Sequence, residues 1–197
     1  MQSTFLAWMF RMPLIKRWAL MFCVKPENIA EHSHQVAIVA HLLAVIKNEK
    51  FNGNINPDKV ATIALYHEAS ETRYGDIVSP TKYANKEIAR EFKKIEYLAE
   101  QECLAALPEE FHSIFSDIIV QDNVDAEYKS IVKAADILSA YLKALDELKH
   151  NNPEFEHVKE RLGGIIFEMQ KTMPEVQYFM DTFLEACSST VDKLSKN

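Results

Sequence analysis

Apolar residues recur at three- and four-residue spacing along almost all of this 197-residue chain, the period of amphipathic helices. Val36, Val39, Ala40, Leu43 and Ile46 mark one such face, on a helix expected from about Ala30 to Lys50. With only 4 glycines, the chain lacks the turns of a β architecture and the glycine-rich loop of a phosphate cradle. The expected fold class is all-α, a single helical domain over residues 1–197 with a polar tail from about Ser188. Asn56-Pro57 pairs an N-cap with a proline at the first helical position, and predicts a helix carrying Val60, Ile63, Ala64 and His67 as far as Glu71. An ordered loop is expected from Tyr74 to Tyr83, then a long helix from about Asn85 to Leu107 and a shorter one over Glu109 to Phe115. Asp125 caps a helix expected over Ala126 to Lys149, and Pro153 and Pro174 punctuate two more.

Charge and cysteine usage narrow the function classes. A formal charge of −7 disfavours a nucleic-acid polymer as partner, because that binding neutralises many phosphates with Lys and Arg. Cys23, Cys103 and Cys187 are odd in number and far apart, which reads as reduced thiols in the cytoplasm. The apolar N-terminus is broken by Arg11, Lys16 and Arg17, unlike a signal peptide, and no stretch approaches the roughly 20 apolar residues of a membrane helix.

Three fragments carry the chemistry: Glu31-His32, His67-Glu68 and Ala135-Asp136. Two histidines and two or three carboxylates on separate helices can converge on one divalent ion, and nitrogen and oxygen donors suit Zn, Mn, Co, Ni or Fe. Such an ion polarises a phosphoryl oxygen and lowers the pKa of water. Taken singly, His32 reads as a polar residue near a helix start, and Glu68 and Glu71 as solvated helix charges. Asp136 lies among Ile131, Val132, Ala134, Ala135, Ile137 and Leu138, where a carboxylate needs a partner. On a continuous helix His67 and Glu68 diverge by about 100°, while Glu71 shares the face of His67 and suits acid-base work.

Arg17-Trp18, Glu31-His32-Ser33, Tyr66 to Glu71, Gly75-Asp76, Pro80 with Lys82-Tyr83, and Ala135-Asp136 follow one another in an order that resembles the bacterial YfbR-type 5'-deoxynucleotidases, within the HD-domain phosphohydrolases. The resemblance runs from about Phe5 to the C-terminal helices. It implies an all-α HD-domain bundle, a homodimer, that releases the 5'-phosphate of deoxyribonucleoside 5'-monophosphates. It also implies that His32, His67, Glu68 and Asp136 ligate the metal, and that Arg17 holds the phosphate through its forked donors. Trp18 would line the sugar or base side, Ser33 would donate to a phosphate oxygen, and Glu71 and Asp76 would be the acid-base pair, in either order of roles.

Two departures stand out. The family's His-Asp pair is His67-Glu68 here, which shifts the carboxylate by one methylene, about 1.5 Å; changed metal affinity or preference is the expectation. Val78 and Ser79 stand where the family typically has Pro and Thr beside the sugar, which leaves strict selection for 2'-deoxyribose open. Two other readings are a deoxynucleoside triphosphate phosphohydrolase of HD type, and a nucleotide-binding protein whose metal site is impaired by Glu68.

Overall fold

A computed structural model describes residues 2–195. Its helices are α1 (Phe5–Met9), α2 (Ile29–Phe51), α3 (Pro57–Tyr66), α4 (Glu71–Tyr74), α5 (Ser79–Lys82), α6 (Lys86–Ala105), α7 (His112–Ile119), α8 (Ala126–Lys149), α9 (Glu156–Gln170), α10 (Pro174–Thr182), α11 (Leu184–Cys187) and α12 (Val191–Leu194). Among the described residues there is no strand, only an isolated bridge between Lys16 and Asn28. The all-α expectation holds.

α2 is the axle of the bundle. Asn28 caps it by accepting from the amides of Ala30 and Glu31, and its own amide donates to the Glu31 carboxylate. This reciprocal box satisfies donors that a helix start leaves unpaired. Glu31 is thereby a capping residue and is absent from the group of side chains that can meet at a metal. α2 packs against α3, α8 and α10, and α8 also packs against α9. By length and composition α2 is apolar enough to cross a membrane, which the sequence reading did not anticipate. Its apolar side chains face these neighbouring helices: Val36, Ala40, Leu43 and Ala44 are fully buried.

Four boundaries differ from expectation, one of them the helix expected over Glu109 to Phe115, which is a 3-10 turn at Glu109–Phe111 followed by α7 running on to Ile119. α3 stops at Tyr66, and the 67–70 segment turns before α4 begins at Glu71. The Ala69 amide donates to the Tyr66 carbonyl and the Glu71 amide to the Glu68 carbonyl, tighter i to i−3 links than an α-helix uses. The Tyr74–Tyr83 loop contains a helical turn, α5, and the polar tail contains α12. Gly75 ends α4 with a φ of 81°, a conformation that favours glycine.

A loop over residues 16–28 crosses the end of α8 and is tied there by buried Glu147. That carboxylate accepts from the backbone amides of Val24 (2.8 Å) and Lys25 (3.0 Å), from Asn152 Nδ2 (2.8 Å) and from Lys143. Asn152 also donates to the Phe22 carbonyl at 2.9 Å, and Lys143 to the Lys25 carbonyl. Burial alone raises a carboxylate's pKa, but these donors outweigh it and hold Glu147 down to about 2. The stability this contributes is present above the ordinary glutamate range and is lost as pH falls toward 2. Glu147→Ala leaves Lys143 buried without a carboxylate partner, so denaturant unfolding at neutral pH is expected to show a loss of about 3 kcal/mol. A loss under about 1 kcal/mol would count against this anchor.

Candidate metal centre and substrate cavity

His32, on the first turns of α2, is fully buried. His67 caps the C-terminus of α3, Glu68 follows in the turn, and Asp136 projects from the middle of α8. One ligand atom from each of these residues lies within 4.8 Å of all the others. His32 Nε2 is 3.1 Å from Asp136 Oδ1 and 3.9 Å from Glu68 Oε1, and His67 Nε2 is 3.3 Å from the same Glu68 oxygen. The break after Tyr66 is what makes this possible: adjacent residues that would diverge on a continuous helix both turn inward.

The donor set fits a divalent cation. His67 Nδ1 donates to the Ala64 carbonyl at 2.7 Å, which fixes the tautomer and leaves Nε2 as a lone pair. That Nε2 is buried with no hydrogen-bond partner, an orphan that a metal would satisfy. Burial lowers the pKa of His32 despite Asp136, which favours the neutral ring that ligation needs. Burial works the same way on His67, but Glu68 beside it outweighs burial and raises the value. Asp136 resists burial through His32 and Lys133, whose Nζ lies 2.7 Å from Oδ2, and sits well below the usual carboxylate range. Burial would likewise raise Glu68, yet His67 and Arg17 hold it below that range.

Arg17 lies beside this cluster, with Nη1 3.3 Å from Glu68 Oε1 and Nε 3.1 Å from Glu27 Oε2. Two cavities meet here. A polar one of about 570 Å³ is lined by Arg17, His67, Glu68, Glu71, Asp76 and Asp136 among others. A more apolar one of about 770 Å³ includes Trp18, Leu20, Met21, Val78, Ser79 and Ile165. Arg17, Asp76 and Asp136 border both. Burial, then Glu68 and Asp76, push buried Glu71 up to about 10. Burial also raises Asp76, partly offset by Arg17.

The structure thus brings His32, His67, Glu68, Asp136, Arg17, Glu71 and Asp76 together, with Trp18 and Val78 on the apolar side and Ser79 bordering both cavities. Ser33 is different: its hydroxyl is buried without a partner and lines neither cavity, so it is not brought to a substrate phosphate. Lys82 is half-buried and ion-paired with Glu96 at the wall of the polar cavity. Glu27 and Lys133 were missed. Lys133 had a signal in its i, i+3 spacing to Asp136, whereas nothing local marks Glu27 as a partner of Arg17.

The family described as 5'-deoxynucleotidase YfbR-like matches residues 4–187. A 5'-deoxynucleotidase of Vibrio atlanticus is 48% identical over 194 residues, covering 98% of this chain and 99% of that protein. The 5'-deoxynucleotidase YfbR of Escherichia coli is 45% identical over 196 residues, covering 100% and 98%. Among solved structures, an HD-domain phosphohydrolase from Listeria innocua superposes with a TM-score of 0.82 at 20% identity, over 95% of this chain and 90% of that one. A cyanophage S-2L HD phosphohydrolase, solved bound to dA and one catalytic Zn2+ ion, gives 0.60 at 17% identity, over 94% and 98%.

One divalent ion per chain is the expected stoichiometry after metal loading and desalting, measured by plasma mass spectrometry. Asp136→Ala is expected to fall well below one; an unchanged content would remove Asp136 from the centre.

Proposed function

The chain belongs to the YfbR-like 5'-deoxynucleotidase family, and from that membership we propose how it hydrolyses deoxyribonucleoside 5'-monophosphates to deoxynucleoside and phosphate. The observation that carries the reading is the junction of two unlike cavities at Arg17, Asp76 and Asp136. A polar chamber beside four metal-ligand side chains suits a phosphate, and an apolar one suits a nucleoside.

His32, His67, Glu68 and Asp136 hold the ion in this reading, with Zn, Mn, Co, Ni and Fe all compatible with the donors. When bound, a divalent ion supplies Lewis-acid polarisation of phosphoryl oxygens and a positive charge that lowers the pKa of acids beside it. Arg17, braced through Nε and Nη1, presents the rest of its guanidinium to the phosphate. Glu71 lines only the polar chamber, and with the charge of a bound ion beside it to bring its raised carboxyl down to the ionised form, it would take the proton of the attacking water. Asp76 borders both chambers, where the scissile bond to the 5'-oxygen would lie, and its raised pKa suits a donor to the leaving oxygen. Trp18 and Val78 line the nucleoside side, and Ser79 borders both chambers.

The spacing of the ligand atoms favours a working site over an impaired one: Glu68 Oε1 reaches the shared position despite its extra methylene. We place the protein in the cytoplasm, supported by three free cysteines, and read it as a homodimer, supported by exposed Phe10, Leu14 and Phe22 on one N-terminal segment.

With metal-loaded protein, orthophosphate release from deoxyribonucleoside monophosphates is expected, abolished by chelation and restored by adding Mn, Co or Zn. Release only of pyrophosphate or triphosphate, from deoxynucleoside triphosphates, would favour the triphosphate phosphohydrolase. The proton roles separate on leaving group. Glu71→Gln is expected to lower kcat by about 100-fold on both a nucleotide and p-nitrophenyl phosphate. Asp76→Asn should cost as much on the nucleotide but far less on p-nitrophenyl phosphate, whose leaving group needs no acid. Equal losses for Asp76→Asn on both substrates would contradict its assignment.

A further inference from the structure

Glu27 is a buried carboxylate outside the metal cluster, and one of its oxygens receives two neighbouring side chains. Glu27 Oε2 accepts from Arg17 Nε at 3.1 Å and from Trp18 Nε1 at 2.9 Å. The Glu27 backbone carbonyl also accepts from the Arg17 amide at 3.0 Å. Trp18 itself has a φ of 61°, a left-handed conformation that is costly for a bulky residue and persists only where its surroundings enforce it. Those surroundings are specific. The indole packs edge-on against Phe155 with centroids 5.2 Å apart, and the Arg17 guanidinium lies 5.6 Å from its ring centroid.

We propose that Glu27 is a positioning residue that fixes Arg17 and Trp18 relative to one another, so that phosphate capture and discrimination at the sugar are set by one carboxylate. The proposal rests on the reading above that Arg17 meets the phosphate and Trp18 lines the nucleoside side. Its physical content is geometric. Because Arg17 and Trp18 are adjacent in sequence, their side chains start out on diverging directions. The left-handed turn at Trp18 brings both nitrogen donors to one acceptor, and a part-buried indole N–H or guanidinium without that acceptor would be costly. Glu147 ties the far side of the same loop to α8, so Glu27 orients the side chains of a loop whose backbone is already held.

Reach and charge can be separated. Glu27→Asp keeps the charge but falls short of the two donors by about 1.5 Å. Glu27→Gln keeps the reach and an acceptor oxygen but loses the charge. With metal-loaded enzyme, Glu27→Asp is expected to raise KM for deoxyribonucleoside monophosphates by about tenfold, the equivalent of one charge-assisted hydrogen bond. kcat should change little, and the preference for deoxy- over ribonucleotide should fall. Glu27→Gln should stay within about threefold of the parent in KM and keep the preference.

The chain has 2 tryptophans, so Trp8→Phe leaves Trp18 as the sole reporter. In that background acrylamide quenching of Trp18 should rise in Glu27→Asp and not in Glu27→Gln. A Glu27→Gln variant as impaired as Glu27→Asp, or a Glu27→Asp variant equal to the parent in KM, preference and quenching, would overturn the proposal. If the parent releases no phosphate at all, the nucleotidase reading fails, and the quenching comparison still decides whether Glu27 positions Trp18.

Discussion

The structure depends on carboxylates and imidazoles that meet where water is largely excluded. Glu68 and Asp136 approach His32 and His67 so closely that one ligand atom from each lies within 4.8 Å of the rest. Two acidic groups brought this near repel one another, and burial penalises both charges. Arg17 and Lys133 offset part of that cost at the rim, through Glu68 and Asp136 respectively. The remaining imbalance is what a divalent cation relieves. Three carboxylates, Glu27, Glu68 and Asp136, share the two cations Arg17 and Lys133, and that excess, with an unpartnered imidazole nitrogen aimed among it, is the electrostatic mark of a cation site.

The helices serve that convergence. α2 supplies His32 from a capped N-terminus, α8 supplies Asp136 from its rigid middle, and the break after α3 supplies two consecutive residues at once. α8 also carries Glu147, which ties down the loop bearing Arg17, Trp18 and Glu27. One helix thus places both a side chain of the candidate metal cluster and the anchor of the loop bearing Arg17. Packing of α8 against α2 then holds that cluster and that loop in a common frame.

Much of this was legible in the sequence. Helical period placed α2 within one residue at each end, and Asp125 placed the start of α8. A carboxylate in the apolar run around Asp136 demanded a partner, and the structure supplies one in His32. The end of α3 was not legible, because Tyr66 to Glu71 has neither glycine nor proline to break a helix; the tight turn there is dictated by tertiary packing. Of the fragment Glu31-His32 only the histidine reaches the cluster, because the Glu31 carboxylate is taken by its cap on α2. Ser33 failed because helical position alone does not tell whether a hydroxyl faces a cavity or a core. Glu27 was invisible, since its partners ten and nine residues away meet it only once the loop closes.

The most direct test of the central claim is anomalous diffraction at the zinc edge from crystals of the zinc-loaded protein. One peak is predicted, about 2 Å from Nε2 of both His32 and His67, from a Glu68 carboxylate oxygen and from Asp136 Oδ1. A peak that leaves Glu68 bound only to Arg17, or no peak among these four residues, would contradict the account.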